Sequence, residues 1–284
     1  AAAAVGRFDD KMPAEGSQVD GRKDGLFQKR SQQNRVGGIQ SRADEFEVHG
    51  GFIFGAADYA AWLGLEAGRF RVIYNGFDHL GVSRAPRDRV SEFRRRHGIP
   101  DDATLVGGMF RLSAEKRPTL WVDTLVRLTT QRDDIRGLLF GAGPMQSELE
   151  ARLAEAGVAG RVLLAPPTKE SLLALSAFDL LLLASRWEGT PNVVIEAQAL
   201  GTPVVVCGGG GAGESLRHGV TGVFVEQANT DALAAALLSI IDDPTLRRRF
   251  AEAGPPFVAE RFGLDRMVAE TVETYGLNRL AAAA

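Results

Sequence analysis

From Thr104 onward, short apolar runs alternate with longer stretches whose apolar residues recur every three or four positions, the mark of a parallel sheet covered by helices. The runs predict strands over Leu105–Phe110, Gly137–Phe140, Val162–Ala165, Asp179–Ala184, Val204–Cys207 and Val223–Val225. The longer stretches predict helices near Thr119–Thr130, Met145–Ala156, Lys169–Ala177, Pro191–Leu200 and Asp231–Ile241. Leu180–Leu183 is apolar at every position and so must bury both faces, as a central parallel strand does. The fold class that follows is α/β: a Rossmann-like parallel sheet with helices on both faces. Upstream, residues 52–65 take a helical pattern, Phe70–Tyr74 reads as a strand before the turn residues Asn75 and Gly76, and Val90–His97 reads as a basic helix. Residues 5–50 are polar and without a sustained period, and read as a poorly packed stub. The expected division is therefore 1–54, a remnant or linker, and 55–284, the main domain. The tetra-alanine ends carry no pattern and are set aside.

Composition changes this picture little. With 45% hydrophobic and 24% charged residues, the 284-residue chain can bury an ordinary core. A net charge of −3 gives no electrostatic reason to expect nucleic acid as a partner. The longest apolar run, Leu180–Ala184, is strand-sized, and the first residues lack the order of a signal peptide, so the expected location is cytoplasmic. A single cysteine, Cys207, excludes an internal disulfide and reads as a small buried hydrophobe. His49, His79, His97 and His218 show no ligand spacing and no Asp-x-Asp pair occurs, so neither metal nor cofactor is expected. Arg94–Arg96 and Arg247–Arg249 read as solvated helix faces, and Trp187 as packing more than as the wall of a pocket.

Ligands of an open parallel sheet bind beyond the carboxyl ends of its strands, so the loops there carry the candidate chemistry. The most informative is Glu188-Gly-Thr-Pro-Asn-Val-Val-Ile-Glu196. Thr190 suits an N-cap and Pro191 the first helical position. The N–H groups of Asn192 and Val193, at the positive end of the helix, then make an anion site where a phosphate belongs. Glu188 before that point and Glu196 beyond it can accept hydroxyls on either side of the anion. Each glutamate alone reads more simply as part of a helix start and its solvent face, but the set in this strand, turn and helix favours a site. Arg111 and Lys116, after the first strand, are either the cations of a diphosphate or surface charges of a polar loop. Phe140-Gly-Ala-Gly-Pro144 lacks the last glycine of a dinucleotide fingerprint. Gly208–Glu214 is either a flexible loop or a backbone that comes close to a ligand.

In their order and spacing, Val-Ile-Tyr-Asn-Gly-Phe-Asp (72–78), Arg-Leu-Ser-Ala-Glu-Lys (111–116), the Glu188–Glu196 element, Gly-Thr-Pro-Val-Val (201–205), Gly-Gly-Ala-Gly-Glu (210–214) and Gly-Val-Thr-Gly (219–222) resemble the group 1 (family 4) retaining glycosyltransferases of the two-domain GT-B fold, over residues 55–278. The resemblance implies a C-terminal donor-binding domain for a nucleotide diphosphate sugar. It implies that Arg111 and Lys116 hold the diphosphate, that Glu196 binds the ribose, and that Glu188 contacts the transferred sugar beside Gly189, Thr190, Asn192 and Val193. It also places the base near Pro166 and the sugar near Gly210 and Gly211. The expected acceptor is a glycan or a lipid-linked sugar, with any contact to the inner face of a membrane made through an N-terminal domain that is largely missing. Three departures stand out: Phe110 occupies a usual glycine position and narrows the approach to the diphosphate, Gly213 replaces a proline and loosens the loop before Glu214, and residues 5–50 are too short and too polar for the acceptor domain. The expectation is an enzyme inactive at this length. Its alternatives are a non-catalytic nucleotide-sugar-binding module of the same fold and a dinucleotide-dependent oxidoreductase.

Overall fold

A computed structural model describes residues 53–275 except 67 and 69. The stub at 5–50, the division at residue 54 and His49 lie outside or at the margin of the described residues. Nine helices are described: α1 (Ile53–Leu63), α2 (Arg87–Arg96), α3 (Pro118–Gln131), α4 (Gln146–Glu155), α5 (Ser171–Ala177), α6 (Asn192–Ala199), α7 (Thr230–Ile241), α8 (Pro244–Phe262) and α9 (Leu264–Thr274). The main sheet contains β1 (Thr104–Met109), β2 (Ile135–Phe140), β3 (Val162–Ala165), β4 (Leu180–Leu183), β6 (Val204–Cys207) and β8 (Gly222–Val225), all parallel, in the order β3-β2-β1-β4-β6-β8. A separate parallel pair joins β5 (Trp187–Glu188) to β7 (Gly209–Gly210).

Alternation along β4 shows why the sheet is covered on both sides. Leu180 and Leu182 enter a core with Trp121, Leu125, Leu149 and Leu237, from α3, α4 and α7. Leu181 and Leu183 enter a second core with Phe93, Leu175 and Val194, from α2, α5 and α6. Each fully buried leucine contributes about 2 kcal/mol. The central β1 carries glycine at both inner positions because two rings lie directly on it: a Cβ at Gly107 would meet Phe178 at 2.0 Å, and one at Gly108 would meet Trp121 at 2.7 Å.

The six predicted strands of the sheet form, with no end moved by more than two residues, but Phe70–Tyr74 is not a strand. This segment lies against α8 and α9, where Arg266 donates to the carbonyl of Tyr74 at 2.6 Å and Phe77 makes a single bridge to Gly263. The carbonyl of Tyr74 thus finds its partner on a helix instead of a sheet edge. The solvated face expected for Arg94–Arg96 also needs correction. Arg95 and Arg96 are exposed, whereas Arg94 is buried, donating to the carbonyls of Ala103 and Ala177 and pairing with Asp179 at 2.7 Å.

Candidate functional site

Strand order reverses between β1 and β4, and the two connections leave this point in opposite directions, opening a crevice at the carboxyl ends. The loop after β1 turns through a 3-10 helix, Ala114–Lys116, and the loop after β4 runs through β5 into α6. These loops bring Lys116 and Glu188 together: Nζ lies 2.7 Å from Oε1, with the two side chains 26% and 10% exposed. The sequence had assigned them to different parts of a ligand and did not foresee their pairing. Arg111 is exposed at the mouth of a cavity of about 350 Å³ whose walls include Phe110, Phe140 and Pro167. Pro166 lines a second cavity, of about 430 Å³, with His97, Phe140 and Lys169.

α6 starts one residue later than predicted. Pro191 has an extended ψ of 109° and acts as the N-cap, its carbonyl accepting from the N–H of Val194 at 3.0 Å, so Thr190 stands one position outside the cap. The first-turn N–H groups of Asn192 and Val193 precede the first intrahelical bond and face the loop end of the helix. Asn192, Val193 and Glu196, one turn apart, share the face of α6 that is not fully buried. The Glu196 carboxylate has no hydrogen bond or ion pair among the described residues, and burial pushes it above the usual carboxylate range. It is a partly desolvated acceptor with its capacity unspent.

Glycines fit the loops to one another. Gly210 has φ 68°, and a Cβ there would lie 2.2 Å from the carbonyl oxygen of Glu188, its register partner, so the close approach is to the Glu188 backbone. Gly211 and Gly213 lie in a 3-10 turn, Gly211–Ser215, in which Ser215 Oγ donates to the carbonyl of Ala212 at 2.6 Å, so a turn takes the place of the missing proline before Glu214. Glu214 accepts from Tyr74 Oη at 2.6 Å, and Arg261 donates to the same hydroxyl at 2.7 Å. Burial and the bond to Glu214 push the Tyr74 phenol up to about 12. Gly141 and Gly143 are required by the loop after β1: a Cβ would come within 2.1 Å of the Phe110 carbonyl or 2.3 Å of that of Leu112. The partial fingerprint is thus explained by packing between loops, and Trp187, 57% exposed, lies over Gly209.

The residue missed from sequence is Arg117. It is the only non-glycine with positive φ among the described residues, at 48°, a conformation that costs about 1–2 kcal/mol. Its Nε donates to the carbonyl of Ala184 at 2.7 Å, and its Nη2 donates to that of Ser185 and lies 3.5 Å from Cys207 Sγ. Standing before Pro118, it would be expected to be extended, so no local signal pointed to it. Among the described residues no group of three His, Cys, Asp or Glu side chains is arranged to hold a metal ion, and no helix is long and apolar enough to cross a membrane.

The model of the family "Glycosyl transferases group 1" matches residues 90–256. The Vi polysaccharide biosynthesis protein VipC/TviE of Salmonella typhi is 32% identical over 224 residues, covering 76% of this chain and 38% of that protein. A D-inositol 3-phosphate glycosyltransferase of Thermobispora bispora is 34% identical over 193 residues, 64% of this chain and 45% of that protein. The chain thus spans about half the length, or less, of these curated relatives. Among solved structures, HepE of Anabaena in complex with UDP-glucose superposes with a TM-score of 0.71 at 24% identity, over 82% of this chain and 64% of that one. The C-terminal domain of the group 1 glycosyl transferase LpcC from Francisella tularensis superposes with a TM-score of 0.59 at 21% identity, over 66% of this chain and all of that domain.

Proposed function

The chain belongs to the group 1 glycosyl transferases, with the fold of the C-terminal half of a GT-B enzyme, and on that footing we propose that it holds a nucleotide diphosphate sugar for transfer to an acceptor hydroxyl with retention of configuration. One observation carries the proposal: at the strand-order reversal Lys116 pairs with Glu188, whose loop leads into α6, the helix that carries the unspent carboxylate of Glu196, so a cation, a helix N-terminus and a free acceptor follow one another as an anion flanked by hydroxyls requires. The complex of HepE with UDP-glucose supports the same class of donor.

The diphosphate sits at the N–H groups of Asn192 and Val193, beside Thr190, and draws Lys116 from Glu188 toward itself, with Arg111 closing from the outer side. Negative charge grows on this leaving group as the sugar bond breaks, so donors already aimed there lower the barrier. Glu188, released from Lys116, accepts from the sugar beside Gly189, Gly210 and Gly211. Glu196 accepts from the ribose hydroxyls, and the base lies against Pro166. Because the cations and the helix already meet the diphosphate, transfer needs no metal. The acceptor, a glycan or lipid-linked sugar at the cytoplasmic face, is held by a facing domain, which also excludes water. The 284-residue chain by itself therefore binds donor without transferring it.

Calorimetry of the chain with UDP, GDP, ADP, UDP-glucose and NAD tests the donor class: saturable binding of a nucleoside diphosphate and its sugar is expected. Binding of NAD alone would favour an oxidoreductase and sink the proposal. On an enzyme of the relatives' full length, product anomeric configuration tests retention, and complete loss of activity in EDTA with recovery in Mn²⁺ would refute metal independence.

A further inference from the structure

We propose that Arg117 is a positioning residue that holds the Lys116 loop and the Glu188 loop in register, so that donor binding depends on a guanidinium that does not touch the donor. This rests on the nucleotide-sugar reading of the crevice. Arg117 closes the 3-10 turn that ends at Lys116 and caps α3 from a left-handed conformation. Glycine would take that conformation without strain, so what arginine adds must come from its side chain. Its fork spans two successive carbonyls at the end of β4, those of Ala184 and Ser185, three residues before Glu188.

The clasp is closed from the other direction as well. The N–H of Arg186 donates to the carbonyl of Glu115 at 2.7 Å, directly before Lys116, and the N–H of Gly209 donates to the carbonyl of Arg186 at 2.8 Å. Residues 115–117 and 184–186 are thus laced at two points, and the loop after β6 is tied on behind them. Lys116 adjoins this clasp on one strand of the lacing, Glu188 on the other, and their 2.7 Å approach is set by it. A planar guanidinium with donors in fixed directions can bridge two carbonyls in this way. An ammonium of the same charge cannot hold both in one geometry.

The test is calorimetric, with the nucleoside diphosphate that the wild-type chain binds best out of UDP, GDP and ADP. Arg117→Gly, which keeps the backbone conformation and removes the fork, and Arg117→Lys, which keeps the charge, should each weaken binding by about tenfold. In a Lys116→Ala background Arg117→Gly should have no further effect, because it acts through Lys116. Should Arg117→Gly melt too low to be measured, Arg117→Lys carries the same comparison in both backgrounds. Full affinity in Arg117→Lys, or losses that simply add in the double variant, would overturn the positioning role while leaving the nucleotide proposal standing. A wild-type chain that binds none of the diphosphates would overturn both.

Discussion

The two ends of the parallel sheet carry similar residues in opposite conditions. At the amino ends, Arg94 spends its guanidinium on Ala103, Ala177 and Asp179, and Asp179 in turn accepts from the N–H of Leu105 at 2.8 Å. Arg84 reaches the carbonyl of Phe178 and Oγ1 of Thr202, and burial pulls its pKa down. At the carboxyl ends, Arg111 is exposed, Lys116 and Glu188 hold each other, and Glu196 has no partner among the described residues. A cavity of about 540 Å³, larger than the two beside Arg111 and Pro166, opens at the amino ends beside Arg84 and Gly201. Size therefore does not single out the site. Charged groups saturated by the chain's own backbone are scaffold, and those left with spare capacity at a strand-order reversal are available to a ligand.

The sharpest way to break this contrast is to remove one residue from each end. In an enzyme of the relatives' full length, Glu188→Ala should reduce sugar transfer to background while nucleotide diphosphate binding does not weaken, since Lys116 is then freed for the phosphates. A variant that keeps wild-type turnover would remove Glu188 from the sugar site. Arg94→Ala should do the reverse. Losing the buried guanidinium strips the carbonyls of Ala103 and Ala177, and one oxygen of the half-buried Asp179, of a donor and costs about 2 kcal/mol of stability, read by urea unfolding, with nucleotide affinity of the folded protein unchanged. Equal unfolding midpoints would mean that the amino-end network is dispensable.

The contrast was only half legible in the sequence. Strand positions and the loops that follow them come directly from apolar periodicity, because burial on two faces leaves a four-leucine run no other reading. The Glu188–Glu196 element was legible because a helix start has local chemistry, although the cap moved from Thr190 to Pro191. What periodicity cannot carry is contact between distant loops. The Lys116–Glu188 pair joins residues 72 positions apart, Arg117 reaches 67 positions to Ala184, and Arg94 looked like its exposed neighbours. The long α8 runs through Pro255 and Pro256, residues that ordinarily end or kink a helix, so local composition argues against it. Phe70–Tyr74 has a strand's composition but meets helices, so composition misled where tertiary packing decided.

A smaller effect separates the two glutamates. Glu196→Ala should weaken binding of a nucleoside diphosphate by about 1–3 kcal/mol, the cost of losing a charged acceptor for the ribose. Titration calorimetry of wild type, Glu196→Ala and Glu188→Ala measures this directly. Equal affinities in wild type and Glu196→Ala would take the ribose role from Glu196.

The smallest effect, and the most diagnostic of spare capacity, is a change of sign. Burial raises the Glu196 pKa in the folded chain, so the folded state binds a proton more tightly than the unfolded state. Above the raised value the carboxylate is ionised in both states, and its desolvation weighs against folding. As pH falls through the carboxylate range that burden is relieved. Glu196→Gln, which keeps the shape without the charge, should therefore melt slightly above wild type at about pH 8, and the gap should close at about pH 4. Saturating nucleoside diphosphate should reverse the order at about pH 8, because wild type then gains the ribose bonds that the amide makes less well. A Gln variant less stable than wild type without nucleotide would mean that the carboxylate is already satisfied by the protein, and Glu196 would then belong with Arg94 and Asp179 to the scaffold.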